Sequence, residues 1–366
     1  MFAEIDIRKL SEISTSDRSC LSIYISGPQS VKALPDKFKA MRKVLGVEND
    51  TDEREHFDNN VKLVEKYLKG NPLESGSLCI FVCWIMDFFE ACTIEAPIKD
   101  IVILDSSPYI RPLAELQDEY ENAAVVVADN KKAKIYLISS LVAGPEESVT
   151  GNIKNHVKKG GWSQQRYERR RDKEIIHYAK EIIDALLELD KNESFRRIVL
   201  AGGKEIIQAI EKYLPQNLKQ LVSSKALDIK STDNIINQEI MDMLTERERD
   251  SEKTLWKKIQ NEYLRDNLGL AGLNDVFDAL MIGNVEQIIV ERNFKPEGWR
   301  CRDCENLLIQ ETNTCPACRS KSLFQVDLIN EMTELVKQYG GDIDFTDPIP
   351  ELTEAGQIAA FLRFKY

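Results

Sequence analysis

Two stretches of this chain carry residue types whose spacing could do chemistry. The first is Cys301-Arg-Asp-Cys304 and Cys315-Pro-Ala-Cys318, two Cys-x-x-Cys knuckles separated by ten residues. Paired knuckles bring four thiolates around one tetrahedral ion, at a metal–sulfur distance of ~2.3 Å for zinc. A redox dithiol uses one such pair at the start of a helix, not two facing knuckles. No histidine or carboxylate is arranged to leave an open coordination position. The expected cofactor is therefore structural Zn2+ on Cys301, Cys304, Cys315 and Cys318, holding an insertion at about 295–325 too small to have its own core.

The second stretch is Gly160-Gly161-Trp162-Ser163-Gln164-Gln165-Arg166. It sits inside Lys154–Lys173, where eight Lys or Arg face two acids, a local charge of +6 on a chain of net charge −12. Adjacent glycines let a backbone come close to another molecule. Flanking cations suit a partner that carries phosphates. The expected RNA contacts are Lys158, Lys159, Trp162, Ser163, Arg166, Arg169 and Arg170, with Trp162 able to stack on a base for ~1–3 kcal/mol. Taken singly, each feature has a plainer reading. A Gly-Gly pair before a helix is usually a turn, and Arg169-Arg170-Arg171 could be a solvated helix face. Gly202-Gly203 lacks the Gly-Lys-Ser/Thr that would make it a phosphate loop. His156, on the loop, and His177, inside the helical pattern, have no partner set.

The totals describe a globular chain: 366 residues, 43% hydrophobic and 30% charged, a length that predicts two or three domains. The longest apolar run, Leu78–Phe89, is broken by Asp87 and is too short to span a bilayer. The first residues carry acids where a secretory signal is basic. The expectation is a cytoplasmic protein with no membrane association. Cys20, Cys79, Cys83 and Cys92 lie in or beside apolar runs and read as small buried hydrophobes. Cys79 and Cys83 share one face of a strand.

Around these stretches the pattern predicts a mixed α/β (α+β) fold in three domains, 1–122, 123–265 and 266–366. In the first, strands at Ser19–Ser26, Leu78–Trp84, Phe88–Glu95 and Ile101–Leu104 combine with helices at Asp36–Leu45 and Phe57–Leu68. In the second, Ala124–Ala128 and Lys134–Ile138 form a hairpin about Asp129–Lys132. A polar loop, Ala143–Lys159, then leads to the glycines, and Ser163 caps a helix to about Leu189. Strand Arg197–Ala201, helix Lys204–Tyr213 and strand Leu221–Ile229 follow. A charged helix, Asn234–Leu264, reads as a solvated connection. In the third, helix Leu273–Ile282, strand Gln287–Glu291, the cysteine insertion, helix Asp327–Tyr339, a short strand at Ile343 and Phe345, and helix Thr353–Ala360 precede the close at Phe361–Phe364.

The run GGWSQQRYERRRD resembles the segment of archaeal and eukaryotic class-1 peptide chain release factors that carries a Gly-Gly-Gln tip and a Ser- and Arg-bearing helix. LAGLNDVFDALMIGNVEQIIVER resembles their C-terminal helix–strand unit, and GQIAAFLRFKY is similar to their closing segment. Archaeal members carry a four-cysteine mini-domain at this place. The resemblance covers roughly 124–366 well and the first segment in outline. It implies a three-domain release-factor-like architecture whose tip enters the ribosome and hydrolyses the ester of peptidyl-tRNA at its acceptor end. Gly160 and Gly161 fall on the family glycines, Ser163 on the following Ser and Arg166 on the helix Arg. Trp162 falls on the glutamine that places water. Bacterial relatives with a Gly-Gly-Trp-Ser-Gln tip look closer, and there Gln164 or Gln165 would orient water. The implied catalytic set is Gly160, Gly161, Gln164 and Gln165. Such a tip needs donors near a developing oxyanion and no titratable base. Asn-Ile-Lys-Ser and Tyr-x-Cys-x-x-x-Phe, which read stop codons in the family, are absent, so the resemblance fits a codon-independent factor. Pelota-type rescue relatives, which lack the catalytic tip, supply the alternative of a non-enzymatic ribosome or RNA binder. A translational GTPase is a further implied partner.

Overall fold

The computed structural model describes residues 6–47, 51–94, 98–119, 123–138, 143–150, 162–193, 195, 197–226 and 251–365. They form two compact units, Met1–Asp118 with Ser251–Tyr366, and Glu119–Asp250. Both are mixed α/β.

The first unit begins with a short helix α1 (Ile7–Ser11), capped by Asp6. Strands β1 (Cys20–Ile25), β2 (Ser77–Cys83), β3 (Phe88–Ile94) and β4 (Ile101–Asp105) form an antiparallel sheet in the order β3-β2-β1-β4. Between β1 and β2 lie α2 (Pro28–Val31), α3 (Leu34–Val47) and α4 (Thr51–Gly70). The period-2 alternation works on both faces, as it must where a sheet is covered twice. Leu21, Ile23, Ile25, Leu78, Ile80 and Val82 meet Phe38, Phe57, Val61 and Val64 of α3 and α4. On the other parity lie Cys20, Ser22, Tyr24, Cys79, Phe81 and Cys83, all buried. Cys20, Cys79, Cys83 and Cys92 are buried free thiols, as their apolar surroundings suggested.

Helix α5 (Arg111–Glu119) closes the N-terminal segment. The C-terminal segment belongs to the same unit. After a helix over 251–264 (α9 in chain order, following three helices of the second unit) come β10 (Gly269–Ala271), α10 (Leu273–Met281) and β11 (Val285–Glu291). A small three-stranded sheet follows, with β12 (Glu297–Cys301) between β13 (Leu307–Leu308) and β14 (Leu323–Asp327). Then come α11 (Leu328–Gln338), β15 (Asp342–Thr346), α12 (Pro350–Glu354) and β16 (Ile358–Leu362). The larger sheet runs β10-β16-β11-β15, with only β11 and β15 parallel. Its core joins Val276 and Leu280 of α10 to Ile288, Val290, Met332, Val336 and Phe345.

In the second unit, β5 (Ala123–Ala128), β6 (Lys132–Ile138), β7 (Ala143–Thr150), β8 (Arg197–Gly202) and β9 (Val222–Ala226) form a sheet ordered β7-β6-β5-β8-β9. Its helices are α6 (Trp162–Glu193), α7 (Lys204–Tyr213) and α8 (Gln216–Lys219). Gly202 takes φ +137°, and Gly203 is the N-cap of α7, so the glycine pair is the turn expected of it.

Four expectations need correcting. The polar run from Ala143 is strand β7 as far as Thr150, antiparallel to β6, with a register shift opposite Pro145. An edge strand needs no apolar alternation and tolerates proline, so polarity alone misled. Ile358–Leu362 is a strand, not the end of a helix. Gly356 (φ +105°) and Gln357 (φ +65°) turn the chain, and Ala359 and Ala360, fully buried between β10 and β11, were read as helix formers. The charged helix is not wholly solvated: Trp256 and Ile259 are buried. Ile236, Ile240, Met243 and Leu244 lie outside the described residues. Finally, α6 begins at Trp162, so Ser163 lies within its first turn and is not its cap. Helix starts are uncertain by a residue or two from sequence.

Candidate functional site

Helix α6 is 32 residues long, about 48 Å at 1.5 Å per residue. Ile175, Tyr178, Ala179, Ile182, Ile183 and Leu186 form a stripe at helical spacing buried on the five-stranded sheet. Arg171 continues that stripe toward the N-terminus; it is buried and paired with Glu205 of α7. Hydrogen bonding to Glu205 raises its already high pKa, so the anchor is charged at every working pH. Arg169 and Arg170 are exposed, and Arg170 pairs with Glu174 at 3.2 Å. Helical spacing puts 169 and 170 on the side away from the buried stripe, and Arg166 belongs to the same helix. Trp162, Ser163, Gln164 and Gln165 occupy the first turn. Lys158, Lys159, Gly160 and Gly161, with His156, lie outside the described residues. His177 is on the exposed surface, with Glu181 at 3.6 Å. The Arg run thus divides: one member holds the helix down, and its two neighbours face water.

The four cysteines of the knuckles converge. Their sulfurs all lie within 4.8 Å of one another. Cys301 Sγ is 3.6 Å from Cys318 Sγ, and Cys304 Sγ is 3.5 Å from Cys315 Sγ. A tetrahedron with metal–sulfur bonds of ~2.3 Å has edges of about 3.8 Å, so the set fits a zinc-sized ion. The two knuckles repeat one backbone pattern. Cys301 N–H donates to Asn306 O and Glu305 N–H returns to Cys301 O; Cys315 N–H donates to Ser320 O and Arg319 N–H returns to Cys315 O. Glu305 (φ +58°) and Arg319 (φ +65°), each just after a second cysteine, take the left-handed conformation that tightens the turn. The first cysteine of each knuckle is buried and the second exposed.

Backbone N–H groups also point at the sulfurs. The Cys318 N–H foremost, and against desolvation the Ala317 N–H, bring the Cys315 thiol down to about 7. Cys304 is pushed up to about 12: the Asn306 N–H opposes this, but the Cys318 thiol, desolvation and the other sulfurs prevail. A cluster of this kind cannot hold four thiolates alone, and a divalent cation would relieve it. The residues fit such an ion, and its chemistry would be to cross-link Cys301, Cys304, Cys315 and Cys318.

The residues that surround this cluster carry no motif of their own in the sequence. Arg300, just before the first knuckle, pairs with Glu331 of α11 (2.9 Å) and Glu305 (2.9 Å) and donates to Ser14 Oγ (2.6 Å). Arg302, inside the knuckle, pairs with Asp17 (3.2 Å) and with Glu53 of α4. An arginine between the two cysteines of a knuckle was the available signal. Away from the knuckles, Asn330 Oδ1 accepts the N–H groups of Ile110 (2.8 Å) and Arg111 (3.0 Å), and Ser107 Oγ donates to Glu334 (2.7 Å).

With these geometries in hand, relatives can be compared. Residues 108–249, which include β5–β9, α6 and the glycine pair, match the sequence profile of Bacterial archaeo-eukaryotic release factor family 10. The chain is similar to Peptide chain release factor subunit 1 of Methanopyrus kandleri, at 26% identity over 82% of this chain and 78% of the relative. It is similar to the same-named protein of Methanococcoides burtonii at 23%, over 71% and 70%.

In sequence the chain is similar to release factors.

Among solved structures, the chain is similar to an archaeal translation termination factor, aRF1 (14% identity, 98% of this chain and 96% of that one, TM-score 0.28). It is also similar to S. cerevisiae Dom34, a translation termination-like factor (12%, 76% and 75%, TM-score 0.43), and to Archaeoglobus fulgidus Pelota (12%, 100% and 94%, TM-score 0.34). No described helix is long and apolar enough to cross a membrane.

Proposed function

We propose that the protein is a ribosome-associated release or rescue factor that acts without reading a codon and hydrolyses peptidyl-tRNA through its Gly-Gly-Trp-Ser-Gln loop. The observation that carries this reading is α6. It is a long helix fixed to its sheet by an apolar stripe and to α7 by Arg171, it keeps Arg169 and Arg170 in water, and it begins where the double glycine ends. A helix start offers free N–H groups and the positive end of its dipole, both suited to an RNA phosphate or a developing oxyanion. Gln164 or Gln165 supplies an amide that both donates to and accepts from a water. The family match over this same stretch and the release-factor names of the curated relatives support the assignment.

In this account the partners are the ribosome or one of its subunits and the acceptor end of peptidyl-tRNA, with a translational GTPase as the delivery partner, in the cytoplasm. The work divides along the three sequence segments, 1–122, 123–265 with the tip, and 266–366 with a structural Zn2+ on the four knuckle cysteines. Trp162, standing where the family has its glutamine, favours one second reading: a Pelota-type binder that occupies the ribosome and cleaves nothing.

Peptide release from stalled complexes separates the two. Gly161→Ala, Gln164→Ala and Gln165→Ala are compared with wild type, with ribosome co-sedimentation measured alongside. Loss of release with binding kept supports hydrolysis. Binding with no release by any form, wild type included, supports the Pelota-type reading.

A further inference from the structure

The cysteine insertion does more than fold on itself: it grips the N-terminal segment through residues of its first knuckle. Arg302 lies between Cys301 and Cys304 and reaches Asp17 and the fully buried Glu53. Arg300, immediately before Cys301, reaches Ser14 and the buried Glu331. Both guanidiniums therefore start from backbone whose course is set by the cluster. The strands that carry it are short: β13 has two residues, and β12 and β14 have five each. The insertion's own buried apolar residues, such as Leu307 and Phe324, are few, so a sheet of this size depends on the cross-link for its shape. A second set of contacts between the same two segments uses no residue of the knuckles. Asn330 and Glu334 of α11, together with Asp327, hold Ser107, Tyr109, Ile110 and Arg111.

We propose that the metal-filled four-cysteine cluster is a clasp. Its ion fixes the first knuckle so that Arg300 and Arg302 hold Ser14–Arg18 and the start of α4. Removal of the ion frees that region while the α11 contacts stay closed. This rests on the reading of the cysteines as a metal site. The mechanism needs no large motion. Arg302 must withdraw from Glu53, which keeps Arg18 at 2.9 Å, and a buried carboxylate that has lost one of its guanidiniums favours a more hydrated state. The natural reporter is Thr15, whose N–H donates to Ser106 O at 2.8 Å. The matched control is the pair of Ile110 and Arg111 amides bound to Asn330.

The test is amide hydrogen exchange on the full chain, with and without a zinc chelator, while bound metal is counted by elemental analysis. Arg302→Met and Cys304→Ser/Cys318→Ser variants accompany the wild type. The expected result is at least a tenfold rise in exchange over 14–18 and at the start of α4 once the metal is stripped. Exchange at 110 and 111 stays unchanged, and added zinc reverses the effect. Arg302→Met keeps its metal and shows the same local rise. Cys304→Ser/Cys318→Ser loses metal and behaves like stripped wild type. Release of metal with no change over 14–18 overturns the clasp and leaves the metal site standing. Loosening of 110 and 111 to the same degree also overturns it, because the cluster would then be a general support of the unit. A chain that neither carries nor takes up zinc removes the metal reading itself, and the clasp with it.

Discussion

Replacing Asp105 with asparagine is expected to stabilise the first unit at neutral pH and to flatten its pH dependence. Asp105 ends β4, is buried, and accepts the Ser106 N–H at 2.7 Å. Desolvation first, and then the nearby Glu331 charge, push its carboxyl up to about 7, against the pull of the Ser106 N–H, Arg18 and Arg300. Glu334, a third acid nearby, is also raised well above the usual carboxylate range, by burial and by Glu331 and Asp105. A folded pKa above the unfolded one means that the folded state binds the extra proton. Stability is therefore full below pH ~4 and is lost as the pH rises through about 7. From an ordinary 3.8 to about 7 is some three units, worth ~4 kcal/mol at about 1.4 kcal/mol per unit. Asparagine keeps the acceptor for Ser106 and never ionises. The difference in unfolding free energy, Asp105→Asn minus wild type, is expected to be near zero at pH 4 and to grow to ~4 kcal/mol by pH 8. Denaturant unfolding at pH 4, 5, 6, 7 and 8 reads it, with exchange of the β1 amides to assign the transition to this unit. A difference that does not change with pH, or a variant less stable than wild type at pH 8, refutes the reasoning.

Other substitutions probe the remaining parts. Ile182→Ala, at the centre of the α6 stripe and fully buried, is expected to cost about 2–5 kcal/mol in unfolding of the second unit. Asn330→Ala strands the Ile110 and Arg111 N–H groups, at about 1–3 kcal/mol for each buried donor, visible as faster exchange at those two amides. The purified chain is expected to carry one zinc; Cys301→Ser should abolish it, as elemental analysis and thiol titration before and after chelation would show. Ribosome association should weaken steeply with added salt, and Arg169→Gln/Arg170→Gln should bind more weakly with a shallower salt dependence, measured by co-sedimentation.

Much of this was legible because the signals were local. Strand-like alternation in Ser19–Ser26, the apolar run Ala124–Ala128 and helical spacing in Lys204–Tyr213 placed β1, β5 and α7 to within two residues. Two knuckles ten residues apart located the four cysteines that meet in space. What stayed hidden depended on neighbours far along the chain. β7 is a strand only because β6 offers it an edge, and Ala359-Ala360 is a strand only because β10 and β11 flank it. Nothing local marks Arg111, Arg300 and Arg302 as buried or bridging, yet each has a partner on a segment about 180 to 290 residues away. The same distance hid the joining of the N- and C-terminal segments into one unit. At the tip, residue types and the family match supply the argument, and the described geometry begins with the backbone of α6.

The most direct measurement is single-turnover release of a labelled peptide from purified stalled ribosomes, with different codons or none in the vacant decoding position. The account predicts release by the wild-type chain at a rate independent of the codon, lost in Gly161→Ala and in at least one of Gln164→Ala and Gln165→Ala. Release no faster than buffer from every complex would contradict it.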